Sequence, residues 1–334
     1  MILLSANVEM PLLPVWTLIP FILMLLTIAL APLIANHWWE HNRNKLLVSL
    51  VLGIPTAIYL MFNGLISNLE HQLLYDYVPF IILLGALFTV TGGIHLSGDI
   101  EAKPRINTLF LGIGGILASI MGTTGAAMLL IRPLISTNQQ RKYKVHTILF
   151  FIAIVANCGG LLSPLGDPPL FLLYLRGVDF SWFLHLIPEW ALVNGLLLFI
   201  YFICDSYYYR KEPKEQILRD KAEIKPLKLV GNLNFLWLIG IVLSVAFITS
   251  KTFFNSPEDI ENYANIFKLL QSGVLIILAL LSLIFTNKIV RQANKFSWGP
   301  ITEVAFLFLG IFITMTPALL YLSTHAASFG LSEP

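Results

Sequence analysis

Apolar runs of about twenty residues recur along the whole chain, near 11–36, 46–66, 77–96, 181–203, 232–250, 266–286 and 300–324. Each can cross about 30 Å of hydrocarbon as a helix. In lipid, backbone N–H and C=O groups must be satisfied internally, so a chain with this pattern folds as an all-α, polytopic membrane protein. Composition agrees, since only 12% of the 334 residues are charged, against roughly a quarter in a soluble domain. The N-terminal MILLSANVEMPLLPVW lacks a basic n-region, and the run after it is too long for a signal peptide, so it reads as the first span. Basic residues fall in loops, and no nucleic-acid surface is expected. Cys158 and Cys204 lie in or beside apolar segments and suggest neither a disulfide framework nor a zinc site. No nucleophile–base pair, metal cluster or phosphate loop stands out, so the sequence does not read as an enzyme.

Two regions, 106–136 and 145–176, are apolar but interrupted. The distribution of Lys and Arg bears on the first. The 37–45 loop carries Arg43 and Lys45, the 67–76 loop only Glu70 and Asp76, and the 97–105 loop Lys103 and Arg105. The N-terminus is therefore expected outside and 97–105 inside. A single crossing by 106–136 would place Arg141, Lys142 and Lys144 outside, followed by the seven Lys and Arg between Arg210 and Lys228. A re-entrant hairpin keeps both clusters cytoplasmic. Its tip reads MGTTGAAM, Met121 to Met128, with glycines for the turn and the hydroxyls of Thr123 and Thr124 at membrane depth. The stretch NCGGLLSPLGDPP, from Asn157, breaks the next span in the same way. Irregular backbone at that depth must be buried in protein or line a watery cavity.

An internal match suggests an inverted repeat. LGALFTVT (Leu84–Thr91) and LGIFITMT (Leu309–Thr316) share Leu, Gly, Thr and Thr in register at an offset of 225. The offset also carries 11–36 and 46–66 close to later spans. One unit would hold an odd number of crossings, so its second copy is inverted, as in many secondary transporters. The expected division is a first repeat over 1–205, a cytoplasmic basic loop over 206–230 and an incomplete second repeat over 231–334. At this offset the second hairpin tip would fall near residue ~348 and the second break near ~392, so the chain reads as a fragment of a transporter of roughly 430 residues.

The stretches GGIHLSGD (92–99), GTTGAAMLLIRPLI (122–135), GGLLSPLGDPPLF (159–171) and EVAFLFLGIFITMTPAL (303–319) resemble the ion transporter superfamily, most closely its NhaD-type sodium/proton antiporters. Dicarboxylate carriers of that superfamily are similar too, with Ser-Asn-Thr at the tip and Gly-Thr-Pro-Pro-Asn in the broken helix. Here those positions read Gly122-Thr123-Thr124 and Gly166-Asp167-Pro168-Pro169-Leu170. Some antiporters of the family place an Asn and an Asp ten residues apart in the broken helix. Asn157 and Asp167 keep that spacing, while the tip here has no amide or carboxylate.

A dehydrated Na⁺ needs several oxygen ligands, which unwound carbonyls help supply. The expected cation-binding residues are Thr123, Thr124, Asn157, Ser163 and Asp167, with Na⁺ at Asp167. Burial disfavours the charged carboxylate, so proton and cation compete for it. The plainer reading of Asp167 is a helix cap, of the two threonines a satisfied hairpin backbone, and of Asn157 an interhelical bond. Asp167, Glu303, His95 and Asp99 are the proton-linked candidates. Glu303 opens a span, and His95 and Asp99 sit at the inner end of another, where ordinary interfacial roles compete. Arg132 is expected to snorkel, and Trp38, Trp39 and Trp182 to form an interfacial belt. The expectation is Na⁺ (or Li⁺)/H⁺ exchange across an inner membrane, with the bilayer and the two ions as partners, no cofactor, and a homodimer as an open state. A citrate or dicarboxylate carrier and a non-transporting truncated product stay open as alternatives.

Overall fold

The computed structural model describes residues 13–325, so the opening of the first apolar run and the residues after His325 lie outside the described residues. The described chain is mostly helical. Eight of its helices are long and apolar enough to cross a membrane, and Leu233–Phe247 is a shorter apolar one. In chain order the main elements are α1 (Ile19–Ile34), α2 (Asn42–Phe62), α3 (Ile66–Thr91), β1 (His95–Asp99), α4 (Pro104–Met121) and α5 (Thr123–Thr137). There follow α6 (Val145–Ile154), α7 (Pro168–Leu175), α8 (Ile187–Arg210), α9 (Lys214–Ala222) and β2 (Lys225–Val230). The last three are α10 (Leu233–Phe247), α11 (Pro257–Phe285) and α12 (Gly299–His325).

Two expected boundaries move. The span expected at 77–96 begins at Ile66 and ends at Thr91, so the polar stretch with Glu70 and Asp76 is helix and not loop. Hydropathy misses this turn because its polar side chains are buried against protein: Gln72 and Asp76 are only 5% and 3% exposed. The 206–230 segment, expected as a basic loop, holds α9 and β2. β2 pairs antiparallel with β1, Leu96 opposite Leu229, and this two-stranded ribbon is the one departure from an all-α fold among the described residues.

Two compact units emerge, and they do not follow the sequence division at 205 and 230. Among the described residues, one holds 13–81, Ser256–Asn265 and 297–325; the other holds Ile82–Asn255 and Ile266–Phe296. In the first, α12, from the end of the sequence, packs on α1 and α2. Gly310 makes the close approach possible, since a Cβ there would sit 2.7 Å from the Ser49 hydroxyl and 2.8 Å from Met24. The Ser49 hydroxyl donates to the Phe306 carbonyl at 2.7 Å, and the Phe80 ring packs at a tilt against Phe308 and Phe312.

The second unit contains the helical hairpin. α4 and α5 are joined by Gly122 alone and run back along each other, because residues at their far ends touch: Asn107 Nδ2 donates to Asn138 Oδ1 at 2.9 Å. Gly114 lets α4 approach Leu130 and Val155, with room for no Cβ. The loops at 97–105, 136–144 and 204–230 converge in this unit. The Ala102 amide donates to Asp220 at 3.0 Å, Gln140 to Glu223 at 2.9 Å, and the amides of Lys142 and Tyr143 to Glu212 at 3.0 and 2.8 Å. Arg141 pairs with buried Asp205 at 2.7 Å. Both ends of the hairpin therefore lie on one side with the basic 204–230 segment.

Candidate functional site

The hairpin tip and the break in the following helix meet in the second unit. Gly122 takes φ +78°, a conformation costly for any residue with a Cβ, and turns α4 into α5. After Ile154 the chain unwinds into a short 3₁₀ turn, Cys158–Leu162, then extended backbone at Ser163 and again at Asp167. Within the break the backbone crosses itself so closely that a Cβ on Gly166 would lie 1.7 Å from the Gly160 carbonyl oxygen. Glycine permits the crossing, and proline ends it: Pro168 and Pro169 occupy the first helical positions of α7, where a fixed φ suits a helix start.

Thr123 ties the two features together. Its amide donates to the Gly166 carbonyl at 3.0 Å and its hydroxyl to Asp167 Oδ1 at 2.7 Å. Asp167 stands at the N-cap position of α7, yet its side chain caps nothing. Pro168 and Pro169 have no N–H, and the amides of Leu170 and Phe171 already reach the backbone carbonyl of Asp167, at 3.1 and 3.2 Å. The carboxylate is thus not required by its own helix. Its environment contains the Thr123 hydroxyl and no paired Lys or Arg among the described residues.

Of the expected cation ligands, the structure brings together Thr123, Ser163 and Asp167. Ser163 is already engaged: its hydroxyl donates to the Ser119 carbonyl and accepts from the Leu165 amide at 3.1 Å. Thr124 and Asn157 are exposed on this unit. Three further residues shape the break. Ser119 donates to the Gly159 carbonyl at 2.5 Å and accepts from the Leu162 amide at 3.1 Å. From α8, Trp190 donates to the same carbonyl at 3.0 Å and Asn194 to that of Cys158 at 3.2 Å. Sequence reasoning missed all three. Only Ser119, three residues before the tip, carried a local signal; Trp190 and Asn194 sit in a regular helix far along the chain.

The proton-linked candidates other than Asp167 lie elsewhere. His95 Nδ1 is 2.7 Å from Asn294 Oδ1, and Asn294 in turn donates to the Gly92 and Ile94 carbonyls. Arg132, expected to snorkel, instead donates to the carbonyls of Ala293 and Asn294. Asp99 is buried in the ribbon, opposite Lys225. Burial pushes its carboxyl above the usual range and the charge of Glu223 adds to this, against the opposing effects of Gln140 and Lys225. Asp220 is also raised, first by burial, with Asp99 and Glu101 adding repulsion and the Ala102 amide opposing. Glu303 belongs to the first unit, where it pairs at 2.7 Å with Lys45, a lysine only 4% exposed.

A family model described as putative citrate transport matches residues 10–331. The inner membrane protein YbiR of Escherichia coli (strain K12) is 27% identical over 136 residues, 37% of this chain and 36% of that protein. The similarity thus spans about a third of that relative's length. No solved structure matches the chain.

Proposed function

The chain belongs to the putative citrate transport family, and from that premise we propose that it is a secondary transporter exchanging Na⁺ or Li⁺ for H⁺ at Asp167. The observation that carries this reading is the uncommitted carboxylate: Asp167 caps no helix, has no basic partner among the described residues, and is held by the Thr123 hydroxyl at the junction of tip and break. A carboxylate at membrane depth is costly to keep charged and marks an ion or proton pathway by default. Ionised, it attracts a cation, with the Thr123 oxygen and nearby unwound carbonyls as further ligands. Protonated, it releases the cation. One group that holds either ion but not both couples the two fluxes. The protein would sit in the cytoplasmic membrane with its N-terminus outside, as the Lys and Arg distribution favours.

Two features favour a citrate carrier instead. The family's description is one. The other is that α5 and α7 both begin at the site, and helix N-termini carry partial positive charge, about half a unit each. Against it, α4 also ends at the tip with the opposite partial charge, and the two prolines of α7 leave no amide there for an anion. The full negative charge of Asp167 would then repel a polyvalent carboxylate.

Everted membrane vesicles containing the chain test the two readings together. Addition of Na⁺ or Li⁺ should dissipate an imposed ΔpH, and Asp167→Asn should abolish this with folded protein retained, since a neutral side chain is easier to bury. Labelled citrate uptake without a cation response would establish the rival reading. Unchanged exchange in Asp167→Asn would remove the carboxylate from the mechanism.

A further inference from the structure

We infer that the 214–230 segment lies on the membrane surface and binds anionic lipid headgroups of the leaflet beside it, the cytoplasmic one by the distribution of Lys and Arg. Seven Lys and Arg and four carboxylates lie between Arg210 and Val230, and the fold sorts them by sign. Glu212 and Asp220 are buried and accept from the amides of Lys142, Tyr143 and Ala102. Glu223 accepts from Gln140 at 2.9 Å. Of the four, Glu215 alone stays on the outer face. The basic side chains of Lys214, Arg219, Lys221, Lys225 and Lys228 are all exposed. Lys221 has Glu101 at 3.8 Å and Lys225 stands opposite Asp99, whereas Lys214, Arg219 and Lys228 form no ion pair among the described residues.

The outer face is apolar as well as basic. With 3.6 residues per turn, α9 turns Gln216, Ile217 and Asp220 inward and puts Leu218 in the middle of the opposite face. There it is flanked by Lys214 and Lys221 on one side and Arg219 on the other. Leu218 is 65% exposed, and Ile224, Leu227 and Leu229 follow at 49%, 47% and 41%. Covalent linkage keeps this face near the bilayer. Residues 211–213 alone separate α9 from the membrane-length helix ending at Arg210, and 231 and 232 alone separate β2 from apolar α10. At the last turn of α8 the exposed Tyr207 ring lies under the Lys211 ammonium at 4.1 Å, the kind of aromatic anchor that marks a membrane interface. Leucines that enter the headgroup boundary while Lys and Arg meet phosphate satisfy both halves of the face. A soluble acidic partner would meet the same charges, but a segment tethered to the bilayer at both ends meets headgroups at far higher local concentration. Its inner face holds the 97–105 and 136–144 loops, so the segment ties the open end of the hairpin to the leaflet. The inference is independent of which ion or anion is carried.

The test uses the full chain with Cys158→Ser and Cys204→Ser, and a bimane attached at Leu218→Cys or Leu227→Cys. It is reconstituted into phosphatidylcholine vesicles with and without phosphatidylglycerol. A nitroxide lipid labelled near its headgroup, present in both leaflets, quenches a probe that sits at the surface. Quenching should be at least about two-fold stronger with phosphatidylglycerol. It should fall back in about 1 M salt, where the screening length shrinks to about 3 Å. Lys214→Gln, Arg219→Gln and Lys228→Gln together, in protein that keeps its size-exclusion profile, should reduce quenching to the level of phosphatidylcholine alone. The lipid and salt arms need no charge substitution, so they decide even where the triple variant does not fold. Equal quenching in the two lipids overturns the inference, as does phosphatidylglycerol-dependent quenching that survives both salt and the triple substitution. No quenching in either lipid overturns it too, and leaves the face to a soluble partner.

Discussion

Thr123 and Asp167 are two single residues whose contact does most to define the site. A hydrogen bond to a charged acceptor contributes about 1.5–3 kcal/mol. Thr123→Val removes that donor and is predicted to weaken apparent cation affinity by about ten-fold or more; Thr123→Ser keeps the oxygen and should stay near wild type. Cation titrations of ΔpH dissipation in vesicles read both. Asp99 and Asp220 give a prediction of a different kind. Both carboxyls are raised, so the folded ribbon and the neighbouring α9 bind protons more tightly than the unfolded chain. Their contribution to stability is fully present below the unfolded value, about 3.9, and is lost as pH rises through the folded values. Hydrogen exchange at 95–105 and 214–230 should therefore quicken with pH beyond its intrinsic dependence, and Asp99→Asn with Asp220→Asn should flatten that excess. Both site residues were legible in the sequence, because hydroxyls and a carboxylate beside Gly and Pro at membrane depth need a reason. That Ser163 is spent on Ser119 while Thr124 and Asn157 are exposed was not legible, since the crossing of two segments decides which way each side chain faces.

At the scale of elements, the break depends on glycines for steric reasons. Gly166→Ala would drive a Cβ into the Gly160 carbonyl and is predicted to cost at least about 3 kcal/mol, seen as lost folded yield in detergent. Gly195→Ala makes a matched control: it lies within α8 with nothing within 4 Å of an added Cβ, and should be neutral or stabilising by up to about 1 kcal/mol. Thermal unfolding followed by size exclusion separates the two. Most helices were readable from hydropathy, and Gly122 and Gly166-Asp167-Pro168-Pro169 announced the interruptions. The π-helical turn at Gln72–Tyr77 was not readable, because Gln72 and Asp76 look like loop residues until burial is known. Nor was the ribbon, whose strands lie about 130 residues apart and pair only once folding brings them together, Ser97 opposite Lys228.

For the whole molecule, the converging loops make a topological prediction. In a background of Cys158→Ser and Cys204→Ser, single cysteines in 97–105, 136–144 and 204–230 should all escape a membrane-impermeant maleimide added from outside. Cysteines at 63–65 and 254–257 should react. External labelling at 136–144 alone would break the hairpin, because the Asn107–Asn138 and Arg141–Asp205 contacts require one side. The compact units add something no linear division supplies. α12 completes the unit begun by α1 and α2, so the two ends of the described chain are interdependent, and the Lys45–Glu303 pair is one of the contacts that join them.

By itself the sequence determined the medium, the approximate places of the apolar helices and the two interruptions. These follow from local composition, since hydrocarbon thickness and backbone hydrogen bonding act on each segment alone. Only the tertiary structure decided that the hairpin tip touches the break, that Asp167 is free of its own helix, and that Asp76 is buried within a membrane-length helix and not in a loop. Those are matters of which segments meet. A carboxylate in a loop and a carboxylate in a core have the same letter, and burial by distant residues alone tells them apart.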